Sequence, residues 1–345
     1  MAEKRRFGIG IVGAGMAAKP HALALRALND SIDVRGVYRR DAAARAAFCT
    51  EYGFPPAASL AALLADDAVD ALLILTPPNA REQLVAAAAR AGKHVLMEKP
   101  VERTTAAAER IVASCEAAGV RLGIIFQHRF RPASQQLAAS LRDNALGALQ
   151  AVQLSVPWWR PQSYYDQPGR GTFEQDGGGV LLTQAIHPLD LMLSLCGPVE
   201  AVAAIAATTG MHRMQTEDFV GAGLRFSSGA AGALLATTAF YPGGAETLVL
   251  ACERATATLG TGTLTIDWLD GRQEVFGAPK GASGGGADPM AFPFDWHKAL
   301  IAAFVDAVRA GRDPVPSGRD ALGVHRLIDA LLTSSREGRL VSVAT

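Results

Sequence analysis

FGIGIVGAGMAA, residues 7–18, sets an apolar run against a turn of glycines and small residues. Phe7 to Val12 reads as a buried strand and the residues from Met16 onward as a helix, so the glycines fall between the two. There Gly13, Gly15 and Ala18 spell G-x-G-x-x-A. Alone the pattern is weak, but between a strand and a helix it predicts a phosphate-binding turn. Gly13 permits the tight turn, Gly15 lets backbone approach a pyrophosphate, and Ala18 lets helix pack closely on strand. The helix N-terminus at Met16, Ala17 and Ala18 then offers N–H groups and a positive dipole end to the phosphates.

Outward from this turn, short apolar runs alternate with alanine-rich helical patterns up to about residue 126. Strand-like runs at 32–38, 69–75, 93–98 and 120–126 are separated by helical patterns at 41–52, 79–91 and 104–118. That alternation predicts an α/β Rossmann domain, a doubly wound parallel sheet, over residues 1–126. After a short helix near 132–143 the texture changes to longer strand-like runs, among them ALQAVQLSVPWW, VEAVAAIAATT, DFVGAGLRF and GALLATTAF. They predict a C-terminal α+β domain, residues 127–345, built on a large, open, mainly antiparallel sheet. Two amphipathic helices at 295–310 and 319–336 and a strand near RLVSV close the chain, and these helices are candidates to pack back on the first domain. GASGGGADP, 281–289, reads as a flexible loop. A length of 345 residues independently favours two domains over one core.

Charge and composition exclude several classes. The 33 basic and 33 acidic residues balance and form no basic block, which argues against nucleic acid as a partner. No apolar run reaches the roughly 18 residues needed to span a membrane. MAEKRR runs directly into the first strand rather than into a cleavable leader, so a cytoplasmic protein is expected. Cys49, Cys115, Cys196 and Cys252 form no CxxC pair and predict neither disulfides nor a metal site.

Three strand ends extend the site. The second strand ends in GVYRRDAAAR, placing Arg39 and Arg40 where an acidic residue would hold a ribose 2′-OH. An arginine pair suits a 2′-phosphate, so NADP(H) is favoured over NAD(H), with Asp41 read as a helix cap. LILTPPN places Thr76, Pro77 and Asn79 at the next strand end, and HVLMEKP does the same for Glu98 and Lys99. There are only six lysines, so one at a strand's carboxyl end is a candidate proton donor or acceptor. Further on, GGGVLLTQAIHPLD, 177–190, leads through three glycines into a helix carrying His187 and, one turn later, Asp190. Between these motifs lie QHRFRP and WWRPQSYYDQPGRGTF. Gln127 is read as a cofactor contact. Arg129, Arg160 and Arg170 are candidates to clamp an anionic or hydroxylated substrate, and Trp158, Trp159, Tyr164 and Tyr165 to stack on it or donate hydrogen bonds.

Together the G-x-G-x-x-A turn, TPPN, EKP and GGGVLLTQAIHPLDL resemble, in order and spacing, the Gfo/Idh/MocA family of glucose–fructose oxidoreductases and inositol dehydrogenases. The resemblance runs from about residue 6 to the C-terminus. It implies reversible hydride transfer between a nicotinamide and a secondary alcohol or ketone of a sugar, polyol, sugar acid or cyclic diol. It also implies that Lys99 and His187 meet beside the nicotinamide as an acid/base pair, and that the protein is a homodimer or homotetramer. One departure stands out: many members carry an aspartate four residues before the histidine, where this chain has Thr183 followed by Gln184. Threonine is no base near neutral pH, so both are assigned to substrate binding together with Asp190. A nicotinamide-dependent glycosidase and a non-catalytic regulator of the same family are the rival readings.

Overall fold

The computed structural model describes residues 5–15, 17–278 and 293–344. The chain divides into two compact units, one formed by the chain through Ile125 with Pro293–Ala321, the other by the intervening chain from Phe126 and the tail from Leu322.

In the first unit, β1 (Phe7–Val12), β2 (Ile32–Tyr38), β3 (Ala71–Ile74), β4 (His94–Met97) and β5 (Leu122–Ile124) form a parallel sheet in the order β2-β1-β3-β4-β5. The connections contain α1 (Ala18–Arg26), α2 (Ala42–Tyr52), α3 (Leu60–Ala65), α4 (Arg81–Arg90) and α5 (Thr105–Ala117). Every residue of β1 and β3 is buried, as expected of strands covered on both faces. The strand order reverses direction between β1 and β3, and at such a switch point the crevice outside the strands' carboxyl ends receives the ligand. Asp41 caps α2, accepting a hydrogen bond from the Ala44 N–H at 3.0 Å.

The second unit contains α6 (Pro132–Arg142), β6 (Leu149–Pro157), three helices α7 (Gln162–Tyr165), α8 (Val180–Thr183) and α9 (Ile186–Cys196), and then β7 (Val199–Ala207), β8 (Phe219–Phe226) and β9 (Ala231–Thr237). Four more strands follow, β10 (Thr247–Cys252), β11 (Ala255–Leu259), β12 (Thr263–Trp268) and β13 (Gln273–Gly277). Two helices, α10 (Asp295–Arg309) and α11 (Gly318–Glu337), and the short β14 (Val341–Ser342) complete the described chain. The sheet runs β13-β12-β11-β10-β6-β9-β8-β7-β14, antiparallel throughout except for the parallel pair β6–β9. One face is buried and the other open. Along β10, Leu248, Leu250 and Cys252 point inward while Thr247, Val249 and Ala251 stay half-exposed. α6 packs against β11 to β13 and α9 against β6.

Residues 293–321 return to the first unit, so the division there is not a single cut near residue 126. Phe304 of α10 packs where a side chain on Gly123 would stand, 2.8 Å from its ring. The Ile124 N–H donates to the Pro316 carbonyl at 3.1 Å, and Arg309 lies over the Phe7 ring. All four cysteines are buried and unpaired. Among the described residues no helix is long and apolar enough to cross a membrane. The glycine-rich stretch 281–289 and the first four residues lie outside the described residues.

Candidate functional site

In the first unit the glycine turn fits a pyrophosphate. Gly13 has φ +98°, and a Cβ there would meet the Leu75 carbonyl carbon at 2.9 Å, so the position requires glycine. Beside Gly15 a Cβ would have open space. α1 starts without a side-chain cap and without an acidic residue in its first turn, leaving its N-terminus suited to an anion. Ala17 is half-buried and Ala18 buried, while Met16 lies outside the described residues. At the end of β2 the Arg39 guanidinium donates to the Ala14 carbonyl, which brings it to the glycine turn. Arg40 beside it is exposed.

Beyond β3, Thr76 precedes Pro77 and a single 3-10 turn, Pro78–Ala80, that contains Asn79. Arg81 is a feature missed by the sequence reading. Only 2 % exposed, it donates from Nε and Nη2 to the Thr76 carbonyl at 2.9 and 2.7 Å, and from Nη1 to the carbonyls of Glu98 and Pro100. It thereby ties the end of β3 to both sides of Lys99. Burial lowers its pKa to about 10, against the opposing pull of Glu98 and Glu102.

Glu98 is held as firmly. Its Oε1 lies 2.7 Å from Nε2 of the fully buried His21, and its Oε2 accepts the Lys99 N–H at 3.1 Å. Burial works to raise this carboxyl, but the His21 hydrogen bond and charge, with Lys99 and His297, bring it down to about 2. Both oxygens of Glu98, a candidate cofactor contact, make hydrogen bonds inside the unit. The His297 ring of α10 meets His21 edge-on, centroids 4.7 Å apart. Burial, then the neighbouring His21, lowers His297 to about 3. Donor atoms of His21, Glu98 and His297 gather within 4.8 Å. The 2.7 Å contact is nonetheless shorter than the roughly 3.4 Å between two ligands of one tetrahedral zinc, and is a hydrogen bond.

In the second unit the glycines lead into α8. The last of them, Gly179, approaches Glu217 closely. A Cβ on Gly179 would fall 1.9 Å from the Glu217 carbonyl oxygen. The Glu217 carboxylate accepts the N–H groups of Gly179 and Leu181 at 3.1 and 3.2 Å, while burial raises its pKa. The Thr183 hydroxyl donates to the Gly179 carbonyl at 2.7 Å and also lies against the side-chain amide of the buried Gln184, so it braces the turn. His187 follows as the second residue of α9 and is 8 % exposed. Asp190, fully buried, accepts from Arg129 Nε and Nη2 at 2.7 and 2.5 Å, committing two donors of the expected substrate clamp. Phe126 meets the His187 ring edge-on and His128 stacks against it. Gln127 between them is buried.

The aromatic segment forms a separate group. Arg160, only 2 % exposed, has its guanidinium over the rings of Trp158 and Tyr164 and donates to the Trp159 carbonyl at 2.8 Å. Tyr165 is buried with its hydroxyl 2.6 Å from Thr238 Oγ1. Both are candidates for the substrate, and both are also engaged in packing, the guanidinium lying against flat rings. Trp159 is half-buried against Tyr241. Arg170 lies over Tyr164 and 3.7 Å from Asp176.

Comparison with known proteins accords with this architecture. Residues 7–126 match the oxidoreductase family with a NAD-binding Rossmann fold, and residues 134–258 match the GFO/IDH/MocA C-terminal domain. The chain belongs to the GFO/IDH/MocA family of oxidoreductases and is a nicotinamide-dependent enzyme. It is 27 % identical over 347 residues to the 1,5-anhydro-D-fructose reductase of Ensifer adhaerens, covering 97 % of this chain and 98 % of that protein. It is 28 % identical to the D-xylose 1-dehydrogenase (NADP(+)) 2 of Haloferax volcanii, with 97 % and 99 % covered. Among solved structures, the WlbA dehydrogenase of Bordetella pertussis in complex with NADH and UDP-GlcNAcA aligns with TM-score 0.83 and 30 % identity, over 99 % and 100 % of the chains.

Proposed function

We propose that this enzyme interconverts a secondary alcohol and a ketone on a sugar, polyol, sugar acid or cyclic diol, with NADP(H) favoured over NAD(H). The observation that carries the reading is the fixture around Lys99. Arg81 holds the carbonyls on either side of it and Glu98 holds its N–H, at the carboxyl end of a strand in the sheet whose β1 turn fits a pyrophosphate. Such pre-ordering is what an acid/base group needs to be effective.

When bound, the nicotinamide supplies the hydride acceptor or donor at C4. Oxidation then requires the hydroxyl proton to leave as the carbon loses hydride, and Lys99 and His187 are the groups assigned to take it. Thr183, spent on the Gly179 carbonyl, has no base to offer. The coenzyme preference rests on Arg39 and Arg40 at the end of β2 and on the use of Asp41 as a cap. A homodimer or homotetramer is part of the same reading, testable by light scattering.

The first experiment is titration with NADPH and NADH, followed by nicotinamide fluorescence, and then an absorbance screen of polyols, sugar acids and cyclic diols. Tighter NADPH binding and substrate-dependent absorbance change are expected. Lys99→Met is expected to abolish turnover with NADPH affinity near wild type, and substantial residual turnover would refute the role of Lys99.

A further inference from the structure

His187 does not stand alone in the second unit. His128, from the 3-10 turn Gln127–Phe130, lies almost parallel to it, with centroids 4.8 Å apart and planes 25° apart. Phe126, at the head of the same turn, meets the imidazole edge-on at 5.9 Å. One turn of chain therefore fixes the ring on two sides.

The proton on His128 can be placed by chemistry. Arg131 Nη2 is 2.6 Å from His128 Nε2, and a guanidinium can only donate. Nε2 must then present its lone pair, so the His128 proton resides on Nδ1, which lies 3.5 Å from Glu246 Oε1. Arg131 Nη1 donates to that same carboxylate oxygen. All three groups are buried, at 5 % exposure or less. A second proton on His128 would have to enter at Nε2, displacing the guanidinium bond and setting two positive charges against each other in a site shielded from water.

We propose that His128 is a positioning residue for His187, a flat and neutral plate that orients its imidazole. The Arg131–Glu246 pair keeps His128 uncharged, so of the two stacked rings His187 is the one able to carry a proton. Two imidazolium ions at this separation would repel, and Arg131 decides which ring remains neutral. Arg129, next to His128 in the chain, and Asp190, one turn after His187, neutralise each other through a two-pronged salt bridge. The proposal rests on His187 acting as an acid/base group.

The test combines spectroscopy with kinetics on the full chain. Long-range ¹H–¹⁵N spectra of the imidazoles, assigned with His128→Phe and His187→Gln, are expected to show His128 as the Nδ1–H tautomer and uncharged from pH 8 down to about 6. His128→Ala is expected to lower kcat about tenfold or more, with cofactor KM within about twofold of wild type. His128→Phe, which keeps a plate that cannot titrate, is expected to restore most of that loss with the wild-type acid limb of the pH–rate profile. An Nε2–H tautomer, or protonation of His128 ahead of His187, overturns the proposal, as does failure of phenylalanine to outperform alanine. If His187→Gln leaves kcat and its pH profile unchanged, the acid/base reading of His187 fails, whereas the His128 tautomer is read independently of turnover.

Discussion

The side chains proposed to set coenzyme choice are two neighbouring arginines with unequal commitments. Arg39 donates to the Ala14 carbonyl and so also braces the glycine turn, while Arg40 is exposed. Arg40→Ala is therefore the cleaner probe. If it binds the 2′-phosphate, a charged hydrogen bond worth about 1.5–3 kcal/mol is lost, weakening NADPH roughly 10- to 100-fold. NADH affinity is expected to stay within about twofold, and fluorescence titration of both coenzymes decides the matter. Equal weakening of the two would show that Arg40 acts on the fold or on a shared part of the coenzyme. At this scale the sequence disclosed the strand-end residues, because Lys99 and Thr76 follow apolar runs that end abruptly. Arg81 escaped it, since an arginine opening an alanine-rich helix reads as a solvated cap, and only the fold brings three carbonyls to it. The pairing of Glu246 with Arg131 was hidden for the same reason, their chain positions being far apart.

Among the elements, the packing of α10 on α1 has a pH signature. The His297 pKa falls to about 3 from 6.5, so between those values the unfolded chain binds the extra proton and stability drops as pH is lowered. Glu98, at about 2 against 4.5, acts in the same direction in a lower window, its contribution present above pH 4.5 and lost towards 2. The thermal midpoint of the first unit is expected to decline as pH falls below about 6.5. His297→Phe, which retains an aromatic edge against His21, should flatten the upper part of that decline in a Tm series against pH. The entry to α8 makes a second prediction: Gly179→Ala places a methyl group on the Glu217 backbone and should destabilise by about 1–3 kcal/mol in urea unfolding, or more where the backbone cannot yield.

Element identity was legible in proportion to pattern. β1 and β3, apolar throughout, and α10 with its amphipathic face showed plainly in the chain. β10 to β13 were not singled out; in β11, ATATL alternates alanine with threonine, so most of its inward members are barely more apolar than the outward ones. The role of Gly179 in meeting Glu217 could not be read either, since nothing local says what a glycine must approach.

On the scale of the whole molecule, the first unit is built from two separated lengths of chain. β5 is completed by the Pro316 carbonyl and by Phe304, and His21 is faced by His297. A fragment ending at residue 126 leaves these surfaces bare. Such a fragment should unfold with low cooperativity and bind NADPH at least about tenfold more weakly than the full chain, measured by circular dichroism and fluorescence. Native-like melting with full affinity would show that the returning segment is dispensable. The same arrangement bears on how the protein is made. A ribosome adding about 5–20 residues each second needs on the order of 10–30 s to pass from β5 to α10. Throughout that interval the nascent coenzyme-binding unit carries an uncovered apolar seam, exposed to aggregation and to chaperones, and it closes only once α10 has been made.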